Sequence, residues 1–176
     1  MRKFPLARVY QLIEPGPVVL LTTARQGRAN VMAMSWKTMV DFEPPLIACI
    51  VGDASHSFRA LRATRECVLA IPAAGLLDQV VAVGNCSGRD VDKFAAFGLT
   101  PRPAAQVAAP LVAECFANLE CRVTDTRMVP RYGLFVLEVV RAWHDAKARR
   151  PAMIHHLGWG RFAIDGRVVR TRSRMR

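Results

Sequence analysis

Val18-Val19-Leu20-Leu21-Thr22-Thr23, then Arg25-Gln26-Gly27-Arg28, then Ala29-Asn30-Val31-Met32-Ala33-Met34: a β-rich run, a turn and a second β-rich run decide the fold class. Branched and aliphatic side chains crowd both runs, and a Gly-containing turn between them folds the chain back as an antiparallel hairpin. Directly downstream, Ser35-Trp36-Lys37-Thr38-Met39 reads as a polar and aromatic break. Pro44-Pro45 opens a third strand over 46–51 that ends at Gly52-Asp53, and Ser55-His56-Ser57 caps a short helix through Phe58, Leu61 and Arg62. Residues 67–71 form a fourth strand closed by Pro72. Residues 76–83 have helical spacing, although Val80, Val81 and Val83 would equally suit a strand.

Upstream, residues 2–14 read as a short helix or irregular lead-in with Val9, Leu12 and Ile13 as its apolar face, broken by Pro15-Gly16-Pro17. Towards the other end, 101–110 is a Pro/Ala loop. Residues 119–124 and 133–140 alternate as a long antiparallel pair joined through Met128-Val129-Pro130. A last piece runs over 160–164, turns at Asp165-Gly166 and continues in Val168-Val169. Strands joined mostly by hairpins, with helices between some of them, imply a mainly β protein with α additions: an antiparallel barrel or sandwich. No G-x-G-x-x-G follows the first strand and no Walker A pattern occurs, so a doubly wound nucleotide-binding fold is disfavoured.

The 176 residues contain no Gly/Ser-rich or charge-rich linker, so a single domain is expected, with its core at about 15–165 and a basic tail at 170–176. At 52% hydrophobic the chain has apolar surface to spare for a homodimer interface. No run reaches transmembrane length and no signal peptide is evident, which excludes a membrane role and makes the cytoplasm the expected location. The five cysteines are odd in number and lack a C-x-x-C pair, a pattern of free thiols. Net charge is +11, of which +8 lies between Arg141 and Arg176, ten basic residues against Asp145 and Asp165. These cations carry neither stacking-aromatic interleaving nor a helix-turn-helix or zinc-finger spacing, so no specific nucleic-acid partner follows.

A second decisive stretch is Asn85-Cys86-Ser87-Gly88-Arg89-Asp90-Val91-Asp92-Lys93-Phe94. It reads as a phosphate cradle. Ser87 is placed as N-cap with Asp90 completing a capping box, Phe94 and Phe97 give a short helix its apolar face, Gly98 ends it, and Gly88 admits an anion to the backbone. Arg89 and Lys93, one turn apart, add charge on one side. Three polar patches thus stand at strand ends: Asn30 to Trp36, Gly52 to Ser57, and Ser87 to Lys93. The two Ser-capped starts, one with His56 and the other with Arg89 and Lys93, can converge on a phosphate, while Trp36, Met32 and Met34 can line a flat ring. His155-His156 is no metal pair on a strand, where neighbours point to opposite faces.

Taken in order, Pro15-Gly16-Pro17-Val18-Val19, Asn30-x-Met32-x-Met34-Ser35-Trp36, Pro44-Pro45-Leu46, Ser55-His56-Ser57 and Ser87-Gly88-Arg89-Asp90-x-Asp92-Lys93-Phe94 resemble the flavoredoxin branch of the flavin reductase-like, FMN-binding split-barrel family, from about Pro15 to Val140. The resemblance implies a six-stranded Greek-key split β-barrel, a homodimer, and FMN held without covalent attachment near the subunit interface. By that analogy Asn30, Met32, Ala33, Met34, Ser35 and Trp36 lie along the isoalloxazine and ribityl chain. Val51, Gly52, Asp53, Ser55, His56 and Ser57, with Ser87, Gly88, Arg89 and Lys93, bind ribityl and phosphate. Such sequences often carry Thr where this chain has Ala33 or Met34, which removes a hydrogen bond to the flavin. The implied activity is an FMN-dependent oxidoreductase with NADH or NADPH as donor; the alternatives are an FMN electron carrier serving a redox protein partner, and a basic binding module with a vestigial pocket. No catalytic side chain is required, because the chemistry would be the cofactor's.

Overall fold

The computed structural model describes residues 2–9, 17–149, 151–170 and 172. Its strands are β1 Arg2–Phe4, β2 Val19–Arg25, β3 Arg28–Met34, β4 Lys37–Phe42, β5 Pro45–Ile50, β6 Glu66–Ile71, β7 Pro101–Arg102, β8 Leu111–Val112, β9 Ala117–Asp125, β10 Leu134–His144, β11 Ile154–Gly158 and β12 Arg161–Ile164. Among the described residues four α-helices accompany them: α1 His56–Thr64, α2 Leu77–Gly84, α3 Lys93–Ala96 and α4 Val129–Tyr132.

The opening hairpin forms as expected. Its central residues Gln26 and Gly27 both have positive φ, +52° and +74°, the turn whose twist matches that of antiparallel strands. β2 reads as an unbroken apolar run because both of its faces are covered. Val19 and Leu21 point into one core with Ile47, Leu69, Leu119, Phe135 and Leu137, whereas Leu20 packs on the other face with Val31, Val80 and Val83. The second core is roofed by α2, and α1 closes the first through Phe58 and Leu61. Each fully buried Leu or Ile contributes about 1.5–3 kcal/mol.

The main sheet runs β3-β2-β6-β9-β10-β5-β4, with β1 added alongside β10. All its pairs are antiparallel. β3 and β4 end the path at opposite edges, yet only Ser35 and Trp36 separate them in sequence. A two-residue joint spans less than about 11 Å. The sheet must therefore curl until its edges meet at that joint, and since β3 and β4 do not pair, the seam stays open: a Greek-key split barrel. Seven strands form the path, not six.

Four expectations need correction. The break placed at 35–39 is confined to Ser35 and Trp36, because Lys37 already begins β4. The turn at Asp165-Gly166 and the strand at Val168-Val169 are replaced by β11 and β12, which turn at Trp159-Gly160; Val168 and Val169 are exposed without strand structure. In the lead-in, read as a short helix or irregular, residues 2–9 hold a strand, Arg2–Phe4, and a 3-10 turn, Leu6–Arg8, while 10–14 lie outside the described residues. Its proposed face residues Leu12 and Ile13, like most of the basic tail, lie outside the described residues. The fourth correction concerns the cradle. Asp92, not Ser87, caps its helix, accepting from the N–H groups of Phe94 and Ala95 at 3.1 and 3.3 Å, and the helix is one turn long. Ser87 instead organises a turn: its Oγ accepts from Arg89 N at 3.2 Å and its carbonyl from Asp90 N at 3.1 Å.

Candidate functional site

β3 is an edge strand, so alternate backbone N–H and C=O groups along it face away from β2. Two clefts adjoin this edge and share Ala33, Gly84 and Asn85. The first, about 290 Å³, lies between β3, the start of α1 and the 85–93 loop. Its polar lining comes from Asn30, Ser55, His56, Ser57, Ser87 and Lys93. The second, about 340 Å³, is the more apolar: Val18, Met34, Val80, Val81 and Phe162 line it, with Ser35, Asn85 and His156 as its polar members. An elongated ligand with one anionic end and one flat apolar end would match the pair.

Local structure positions the first cleft's side chains. Ser55 caps α1, its Oγ accepting from Phe58 N at 3.2 Å, which aims the first turn of the helix at the cleft. Asn30 is buried and donates through Nδ2 to Ser57 Oγ at 2.8 Å, tying β3 to α1. Gly88 closes over the same amide. A Cβ at position 88 would collide with Asn30 Oδ1, so this glycine is needed for packing against a side chain rather than for admitting an anion. Lys93 is 5% exposed, and its Nζ donates to Val83 O at 2.7 Å, fastening the loop to the end of α2. Its ammonium has further donors to offer the cleft.

The field at this end is positive. Partial burial and then the nearby Arg89, Arg28, Lys93 and Arg59 hold the His56 imidazole below its ordinary pKa. Burial also lowers the pKa of Lys93, an effect opposed by Cys86. Among the described residues no acid lines this cleft, so a dianion would enter a pocket whose described cations lack a competing carboxylate.

Of the residues expected here, the structure brings together Asn30, Met32, Ala33, Ser55, His56, Ser57, Ser87, Gly88 and Lys93 in the first cleft, and Ala33, Met34 and Ser35 in the second. Five stand elsewhere. Trp36 is 69% exposed beyond both clefts. Val51 is buried in the barrel core, its N–H given to Gly133 O at 2.9 Å. Gly52 serves the turn before α1 by accepting from Ser55 N, Asp53 lines a separate groove, and Arg89 lines neither cleft, although its charge bears on His56. Sequence reasoning missed Val18, Val80, Val81, His156, Gly160 and Phe162 as walls of the second cleft. The β11–β12 hairpin supplies the last three; there His156 packs on Phe162 with ring centroids 5.2 Å apart, while His155 pairs with Asp165 at 2.7 Å on the other face. Among the described residues no cluster of three His, Cys, Asp or Glu side chains could hold a metal, and no helix is long and apolar enough to cross a membrane.

Comparison with known proteins places this geometry. Residues 12–161 match the family described as flavin reductase like domain. The protein YddH of Escherichia coli K12 is 32% identical over 173 residues, covering 90% of this chain and 92% of its own. The crystal structure of an FMN-binding domain of a flavin reductases-like enzyme from Shewanella baltica superposes with a TM-score of 0.92 at 26% identity over 97% of each chain. The flavoredoxin of Desulfovibrio vulgaris shares the fold, with a TM-score of 0.80 at 24% identity over 89% of this chain and 90% of that one.

Proposed function

The chain belongs to the flavin reductase-like family, and on that premise we propose that it is an FMN-dependent oxidoreductase using NADH or NADPH as electron donor. One observation carries the reading: two clefts that join along the free edge of β3, one polar and cationic, the other apolar. Their chemistry fits FMN end for end. Lys93, Ser55 and Ser87 would hold the phosphate, aided by the charges of Arg28, Arg59 and Arg89 around His56. Asn30 and Ser57, already bonded to each other, would meet the ribityl hydroxyls, and Met34, Val80, Val81 and Phe162 would give the ring an apolar bed. Bound FMN supplies two-electron acceptance from a nicotinamide and onward transfer. The protein's part is to orient the flavin and keep water from one face, which requires no acid or base from the chain.

The test uses two ligands and one substitution. Lys93→Ala should weaken FMN binding by about 1.5–3 kcal/mol and leave riboflavin, which lacks the phosphate, nearly unchanged. Equal weakening of both would mean that Lys93 acts only through its bond to Val83, and protein that takes up neither ligand would end the flavin reading. Steady-state NAD(P)H oxidation by the FMN-loaded protein, with free flavin as acceptor, separates a reductase from an electron carrier.

A further inference from the structure

The β11–β12 hairpin serves the second cleft through His156, Gly160 and Phe162, but its turn also carries side chains that the cleft does not use. At Gly158-Trp159-Gly160 three successive residues have positive φ, +85°, +54° and +70°, and the middle one is a tryptophan. Glycine adopts this backbone freely, whereas a bulky side chain resists it. The turn nevertheless holds Trp159 97% exposed, beside Leu157 at 56%, and the indole has no hydrogen-bond or ring partner among the described residues. Arg161 follows directly. Arg167 and Arg170 stand in the irregular stretch after β12, next to the exposed Val168 and Val169. None of these three arginines enters an ion pair or side-chain hydrogen bond among the described residues. The acid between them in sequence, Asp165, is already engaged by His155 Nε2 at 2.7 Å and by Met153 N at 3.1 Å. Exposed tryptophan with arginine is the pairing that anchors protein interfaces, and cations without counter-charge select an acidic partner.

A five-residue strand is about 17 Å long, so the turn, the hairpin and the stretch after it fit within an ordinary interface of about 800 Å² per partner. Gly160 lies on the wall of the second cleft, and its chain neighbours Trp159 and Arg161 have their Cα atoms about 3.8 Å from its own. A protein seated on the turn therefore stands at the rim of the cleft that the flavin reading gives to the ring. A second copy of the chain would bring its own net charge of +11 against these cations, and a lipid surface would gain nothing from the adjoining cleft. We propose that the β11–β12 turn docks an acidic one-electron redox protein, with Leu157 and Trp159 as the apolar centre and Arg161, Arg167 and Arg170 as the cationic border. This partner is the electron acceptor of the site. Two oxidised partner molecules take one electron each from fully reduced FMN, whose two protons pass to solvent and which is left oxidised. The proposal rests on the flavin reading and names the acceptor for it.

The probes are plastocyanin, an acidic one-electron copper protein, and cytochrome c, a basic one. Their affinity for the full-length protein is measured with and without FMN, at low and high salt. Two variants are compared: Trp159→Asn, which keeps a residue tolerant of positive φ, and Arg161→Glu/Arg167→Glu; none of the three positions lines a flavin cleft. The expected result is that wild type binds plastocyanin but not cytochrome c, more tightly at low salt, and that each variant loses about tenfold or more while FMN affinity stays within about twofold. Dithionite-reduced, FMN-loaded wild type should then reduce two plastocyanins per flavin under anaerobic conditions. Absence of plastocyanin binding overturns the proposal; phosphatidylserine vesicles that then sediment wild type but neither variant would give the turn to a lipid surface. Affinity unchanged in both variants overturns it too, as does a wild-type dimer that both variants turn monomeric in light scattering, which would give the turn to a second copy. If the protein takes up no FMN, the flavin reading fails separately and the electron step with it, and the affinities of the flavin-free protein still decide whether the turn docks an acidic protein.

Discussion

Lys37 stands opposite Cys49 at the start of β4, and its Nζ is buried without a hydrogen-bond partner among the described residues. Burial lowers its pKa to about 8. The unfolded chain keeps this amine protonated up to 10.5, so between pH 8 and 10.5 the unfolded state binds more protons and stability must rise with pH. Relative to Lys37→Met, the wild type should gain on the order of 2–3 kcal/mol across that window, and the variant should be the more stable at pH 7. Urea unfolding of both proteins at pH 7, 8 and 10.5 checks this; a constant difference would show that the amine reaches water. At this scale the sequence pointed to cradle residues that the structure brings into one cleft, though not for the contacts they make there. Gly88 was legible as a close approach, but not that Asn30 makes the approach, and Lys93 was legible as a cation, but not that it is buried against Val83. Spacing along the chain reports local neighbours, and both partners come from other elements.

Gln26 is a non-glycine residue at φ +52°, in a turn whose two central positions favour Asn-Gly. Gln26→Asn should stabilise the protein by about 0.5–1 kcal/mol and raise Tm by a few degrees, measured by calorimetry, without touching either cleft. No change, or a loss, would mean that the hairpin is held by its covered faces alone. Elements whose local pattern agreed with their surroundings were readable: this hairpin, the Ser55-capped α1, β6 and the β9–β10 pair. β4 was not readable because its burial is inverted. Lys37 and Met39 are part-buried while Val40 and Phe42 are exposed, so an alternating strand presented itself as a polar break. Val168-Val169 failed in the opposite sense, since strand-forming residues without a partner strand remain irregular.

The inverted strand also bears on the whole molecule. Val40 and Phe42 are 54% and 59% exposed on β4, the strand that ends the sheet path beyond β5, with Trp36 just before it. An apolar edge of this kind invites association, and a second copy of the chain is the expected cover. Light scattering should return the mass of a dimer for wild type and of a monomer for Val40→Glu/Phe42→Glu; a monomeric wild type would remove the second copy from the account. The ring-end cleft was the part of the site least visible in advance, because its walls join β3, α2 and a hairpin more than a hundred residues downstream. The same long-range order governs how the chain can fold. The β2–β3 and β4–β5 hairpins are local and can form early, joined by Ser35 and Trp36, but in the finished sheet β6, β9 and β10 stand between them. β6 can join the β2–β3 hairpin early, but until residues 117–144 leave the ribosome β6 lacks β9 and the β4–β5 hairpin lacks β10, so a nascent chain passes through a stage with both inner edges bare and most exposed to wrong partners.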